Sequence, residues 1–161
     1  MTTFNAGRPF GAALLACLIV TGFQARAQDV LAVVSSDGTE IARLDFAPHQ
    51  EICLTWGHSV TGGKVADCFE NQQGRMMLTR SFLHDFAAGL GDMPGRGTLT
   101  PAAGGGYWIT GINEAIPHNA LSLRIGSISV GHSLDNGVQR IALSELAPRA
   151  RVALQLQPDP R

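Results

Sequence analysis

The sequence predicts an all-β fold, a single antiparallel β-sandwich or barrel of about eight to ten short strands. Three observations predict it. Runs rich in Val, Ile, Leu, Phe and Thr are short and are separated by Gly, Asp and Asn turn residues. Apolar residues alternate with polar ones, as in Leu121, Leu123 and Ile125 against Ser122 and Arg124, the period of a half-buried strand. No helical period is sustained anywhere beyond residue 29.

Taken in order, "DVLAVVSS" and "TEIARLDFA" flank Asp37-Gly38, a pair that takes the positive φ of a tight turn, so the two runs form a hairpin. "EICLTWGHSV" and "VADCFENQQG" form a second hairpin around "TGGK", with Cys53 and Cys68 close to opposite one another. Within it Trp56 and His58 share a face, and Trp56 is expected to fill the core. "GRMMLTRSFLH" is the next strand, "TLTPAAGGG" reads as turn material and "YWITGI" as a short strand. "NALSLRIGSISVGH" alternates like a strand, "DNG" at 135–137 turns into "VQRIALS", and "RVALQLQ" is the last strand. Helix is confined to a turn or two around "LSELAP" or "HDFAAGL".

The amino terminus has a different character. Arg8 is followed by the uncharged, mostly apolar "PFGAALLACLIVTGF" and then by "ARA" at 25–27, the pattern of a secretory signal peptide over residues 1–27. The apolar run falls short of the roughly 20 residues of a membrane span. Cleavage after Ala27 leaves residues 28–161 as one β-domain, with 158–161 a disordered tail, in the periplasm. The alternative is a lipid anchor at Cys17, since "LLAC" loosely matches a lipobox, although the chain stays apolar beyond it. The mature chain keeps ten basic and thirteen acidic residues, a net charge of −3, with no Lys/Arg run, so nucleic acid is excluded as a partner. Cys53 and Cys68 are then the remaining cysteines, and an even pair in an oxidising compartment reads as a disulfide.

Chemistry leaves few traces. "GLGDMPG" has Pro94 where a dinucleotide fingerprint needs its third glycine, and "GHSVTGGK" has Val65 where a phosphate loop needs Ser or Thr, so no nucleotide cofactor is indicated. His49, His58, His84, His118 and His132 share none of the spacings that put two imidazoles on one face, and no metal site is expected. There is no nucleophile elbow, and adjacent His58 and Ser59 on a strand point apart, so the chain is read as a non-enzyme. The segment "SFLHDFAAGLGDMPGRG" carries Gly89, Gly91, Gly95 and Gly97 and opens a long irregular stretch over 91–106. It is either a corner of the fold or a recognition loop, and His58, Ser59, Asp85, Gly89 and Gly91 are the candidate binding residues.

"LTWGHSVTGGKVADCFENQQGRMML", "DFAAGLG" and "GGYWI" together resemble the small exported bacterial family known as domain of unknown function 1850. The matching features are the tripeptide His58, Ser59 and Val60, the aromatic strand end at Phe69, and the turn Ala88, Gly89, Leu90 and Gly91, within a resemblance over most of residues 30–145. The family brings no biochemical activity. The resemblance implies genomic company with the TAXI type of tripartite ATP-independent periplasmic (TRAP) transporters, hence a periplasmic accessory or binding module whose partners are transporter components or their solute. The resemblance does not tie the cysteine pair to the family's motif, so a function implied by the family need not involve it. An enzyme or metal-dependent protein of unknown reaction is the alternative.

Overall fold

The computed structural model describes residues 1–2, 28–85 and 95–160. Residues 3–27, which hold most of the segment read as a signal and Cys17, the loop glycines Gly89 and Gly91, and Arg161 lie outside the described residues. The chain forms strands β1 (Asp29–Ser35), β2 (Glu40–Asp45), β3 (Glu51–Gly57), β4 (Lys64–Gln72), β5 (Arg75–Leu83) and β6 (Thr98–Pro101). It continues with β7 (Tyr107–Ala115), β8 (Ala120–Arg124), β9 (Ser133–Asp135), β10 (Arg140–Ala142), a one-turn helix α1 (Leu143–Leu146) and β11 (Arg151–Pro158). The strands make two antiparallel sheets, a smaller one ordered β2-β1-β11-β8 and a larger one ordered β10-β9-β3-β4-β5-β7-β6. This is the sandwich of the two architectures the sequence allows, because neither sheet closes on itself.

Turn chemistry places the hairpins where the sequence does. Gly38 turns β1 into β2 at φ 87°, and Asp37 fixes the turn by accepting the Thr39 N–H at 2.9 Å and the Ser35 hydroxyl. Those hydrogen bonds favour the charged carboxylate and lower the Asp37 pKa to about 2. Cys53 stands directly opposite Cys68 in the β3–β4 register and the two form a disulfide, with Cα atoms 4.0 Å apart. One face of each sheet meets the other in a core of Leu31, Val33, Leu44, Phe46, Ile52, Leu54, Phe69, Met76, Leu154 and Leu156. Burying side chains of this kind contributes about 1.5–3 kcal/mol each.

A polar anchor sits at the edge of this core. Asn71 is fully buried; its Nδ2 donates to the Phe46 carbonyl at 2.6 Å and to Asp29 Oδ2 at 2.9 Å, and its Oδ1 accepts the Gly74 N–H at 2.8 Å. One side chain thus ties the β4–β5 turn to the small sheet. A buried amide is tolerated because its hydrogen-bonding groups are used.

Three sequence expectations change. Thr98–Pro101, read as turn material, is the edge strand β6, with Thr98, Leu99, Thr100 and Pro101 facing Thr110, Ile109, Trp108 and Tyr107. Proline ends it at a sheet edge, where its missing N–H removes no ladder bond on the free side. The tail expected to be disordered is in part the last rung of the small sheet: Pro158 pairs with Asp29, the Asp159 N–H donates to the Gln28 carbonyl at 2.8 Å, and Arg43 reaches Asp159 at 3.1 Å. Trp56 is only partly buried; it packs beside the core and stacks flat on His132, ring centroids 5.7 Å apart. The helical turn at "LSELAP" is α1.

Candidate functional site: the outer face of the large sheet

Alternation along β3 sends Ile52 and Leu54 inward and Cys53, Thr55 and Gly57 outward. The registers of the neighbouring strands then assemble that outer face row by row. One row runs Ser133, Thr55, Ala66, Phe82, Trp108 across β9, β3, β4, β5 and β7. The adjacent row runs Arg140, Asp135, Cys53, Cys68, Arg80, Thr110. Small residues occupy the middle of both rows, with Phe82, Trp108 and Arg80 toward one side and Arg140 at the other. The result is a trough of about 740 Å³ floored by Cys53, Thr55, Gly57 and Ala66, with Phe82 and Trp108 on one flank and Arg140 on the other.

The two flanks differ in chemistry. Phe82 and Trp108 meet at a tilt of 55° with centroids 5.2 Å apart, and Arg80 lies 4.4 Å over the Trp108 ring. Arg80 is neutralised by a two-pronged ion pair to Glu51, at 2.5 and 2.9 Å. On the other flank Arg140 Nη2 donates to Ser133 Oγ at 2.9 Å, and Ser133 shares a 2.9 Å hydrogen bond with Thr55 Oγ1. Among the described residues Arg140 has no carboxylate within ion-pair distance. Asp135, its cross-strand neighbour, accepts the Gly137 N–H at 2.7 Å.

Glu51 and the two sulfurs form the one metal-like grouping among the described residues, their atoms within 4.8 Å of one another. The sulfurs are joined as a disulfide and have no thiolate to offer a cation. His132, stacked on Trp56 at the base of this end of the sheet, accepts the Gly126 N–H on Nδ1 at 3.0 Å. Burial lowers its pKa, in keeping with a neutral ring that acts as acceptor.

The opposite, inner face holds an acidic side chain the sequence does not single out. Asp67 pairs across to Leu54 and Ser81, and accepts the buried Ser81 hydroxyl at 2.6 Å. Its pKa is raised, first by burial; the Ser81 hydrogen bond and the Arg96 charge act the other way. A raised folded-state pKa means a stabilising contribution that is complete below the ordinary 3.8 and lost as pH climbs through the folded value. Asp67→Asn keeps an oxygen for Ser81 without a charge to bury. It is expected to raise the melting temperature at pH 7 and to flatten the acid-side rise of stability, checked by thermal melts from pH 3 to pH 7; a lower melting temperature at pH 7 would show that the charge is needed.

The residues chosen from sequence lie at one end of the same sheet. His58 and Ser59 follow β3 in the turn to β4, where His58 Nδ1 accepts the Val60 and Thr61 N–H groups at 3.4 and 3.3 Å. The imidazole therefore shapes its own turn. Asp85 follows β5 at the same end, since the His84 N–H donates to the Lys64 carbonyl at 2.9 Å. A depression lined by Thr61, Gly63, Lys64, His84 and Gly104 lies between the β3–β4 and β6–β7 turns and meets the trough at Phe82 and Lys64. Gly89 and Gly91 are outside the described residues. The sequence does not single out Thr55, Phe82, Trp108, Ser133 and Arg140, because only the register unites them.

No curated protein and no solved structure matches the chain. One family model does, over residues 52–143, which runs from the second residue of β3 into the first of α1. The match therefore contains the strands of the large sheet and β8, and leaves out β1, β2 and β11. By this match the chain belongs to the family described as domain of unknown function (DUF1850).

Proposed function

We propose that the protein is an exported, non-catalytic accessory or binding module of a TAXI-type TRAP uptake system, and that it works through the outer face of its large sheet. The observation that carries this reading is the trough: aromatic and arginine side chains flank a floor of small residues on the sheet that the family match spans. Trp and Arg are the side chains over-represented where binding energy concentrates. The partner rests on the genomic company that the family resemblance implies. Export rests on the signal pattern of residues 1–27 and accords with the disulfide, a bond of oxidising compartments. A binding rather than catalytic role accords with the histidines: His58 and His132 spend Nδ1 on backbone N–H groups.

The test is capture of tagged mature protein from detergent-solubilised membranes of the native host, with mass spectrometry of what accompanies it. A TRAP receptor or permease subunit is expected with the wild type and lost with Trp108→Ala. It is expected to survive Gln155→Ala, a change on the small sheet. Recovery of no transporter subunit, or equal recovery with both variants, would overturn the reading.

A further inference from the structure

We propose that the trough is a binding site for a small carboxylic acid with an apolar body, its carboxylate held by Arg140 and Thr55 and its body laid against Phe82 and Trp108. This rests on the reading of the outer face as the working face. The two flanks supply opposite halves of such a ligand. At the aromatic flank Arg80 is already neutralised by Glu51 and lies over Trp108, so the Phe82 and Trp108 rings offer apolar surface to which Arg80 adds no net charge. At the other flank Arg140 is exposed, has no carboxylate within ion-pair distance among the described residues, and is steered by Ser133.

Hydrogen-bond arithmetic agrees. The chain Arg140 Nη2 to Ser133 Oγ to Thr55 Oγ1 leaves the guanidinium with further N–H donors, and when the buried Ser133 gives its hydrogen to Thr55 Oγ1 the Thr55 hydroxyl keeps its own to donate into the trough. An ionised carboxylate accepts from both kinds of group, whereas a ligand cation would face an uncompensated guanidinium. Between the flanks lie three positions of one row, Ser133, Thr55 and Ala66, before the Phe82 ring. At about 4.8 Å per strand this is a span on the order of 10–15 Å, room for a body of several carbons. Lys64 adds positive charge to the same lining.

The probe is octanoate, with 1-octanol as the uncharged control, titrated into mature protein. Trp108 stands on the aromatic flank of the trough, whereas Trp56, the chain's other tryptophan, packs beside the core, so the Trp108 part of the intrinsic fluorescence reads the site. Octanoate is expected to shift the emission and to bind at least about tenfold more tightly than octanol, the factor a charge-assisted hydrogen bond gives. Arg140→Gln is expected to remove that preference while leaving octanol binding and the melting temperature unchanged. Phe82→Ala is expected to weaken both ligands. Absence of any octanoate binding, equal affinity for acid and alcohol, or an unchanged preference in Arg140→Gln would each overturn the proposal. If octanoate fails while transporter capture still depends on Trp108, the ligand class is wrong and the working face stands. If octanoate binds as expected while capture fails, the site stands and the partner is wrong.

Discussion

Replacing Cys53 and Cys68 together by alanine is expected to lower stability by about 3 kcal/mol, the loop-closure value for a crosslink of this length. The bridge spans a sequence separation of 15 residues. In a chain of this size that corresponds to a fall of about 10 °C in melting temperature. The bond closes the β3–β4 hairpin, two of the central strands of the large sheet, so without it the unfolded chain regains the freedom that the crosslink removes. Cys68 is also fully buried, and its truncation leaves a small void beneath Arg80 and Glu51. The measurement is a pair of thermal melts, with wild type in dithiothreitol as a third arm that should approach the double variant. Because Cys53 floors the trough, the variant is also expected to bind octanoate more weakly at temperatures where it is still folded. Coincident melts with and without the bridge would show that the hairpin holds itself.

Local chemistry explains what could be read from sequence. Asp37-Gly38 and the Asn136-Gly137 turn announce hairpins because glycine accepts positive φ, here 87° and 82°. The alternation in β3 and β4 puts Cys53 and Cys68 on one face, and hairpin centring puts them opposite, so the disulfide follows from residues fifteen apart. The trough follows from none of this. Its row joins Thr55 to Ser133, residues far apart in the chain whose strands meet because β9 returns to the free edge of β3. The register of β4 on β5 also shifts between Cys68 and Phe69, a bulge that decides whether Phe82 or Ser81 faces outward. A signal was present in Arg80 and Phe82, alternating on one strand, and in the rarity of tryptophan, but alternation alone does not say which face is the core.

The glycine that sequence reading treats as ordinary turn material has a specific task at this site. Gly106 sits at φ 82° at the start of β7, where its carbonyl accepts the Ala102 N–H at 2.9 Å and closes the β6–β7 turn. A Cβ there would stand 2.6 and 2.9 Å from two Phe82 ring carbons and 2.7 Å from the Leu83 carbonyl oxygen. The ring could rotate away only by leaving the trough, and the carbonyl is held in a strand. Gly106→Ala is therefore expected to cost on the order of 3 kcal/mol, a left-handed φ imposed on alanine together with an overpacked contact. Gly104 and Gly105 provide the internal comparison. Both have positive φ, 88° and 98°, but nothing lies within 4 Å of a Cβ at either, so alanine there is expected to cost only about 1 kcal/mol. Chemical denaturation of the three variants separates the conformational part, common to all, from the contact with Phe82, found only at 106. Titration with octanoate then asks whether that contact sets the aromatic flank. Weaker binding in Gly106→Ala alone, measured in denaturant-free buffer on folded protein, is the expected result; equal stability and equal binding in all three would mean that Phe82 moves aside freely and that the flank is not held in place by the turn.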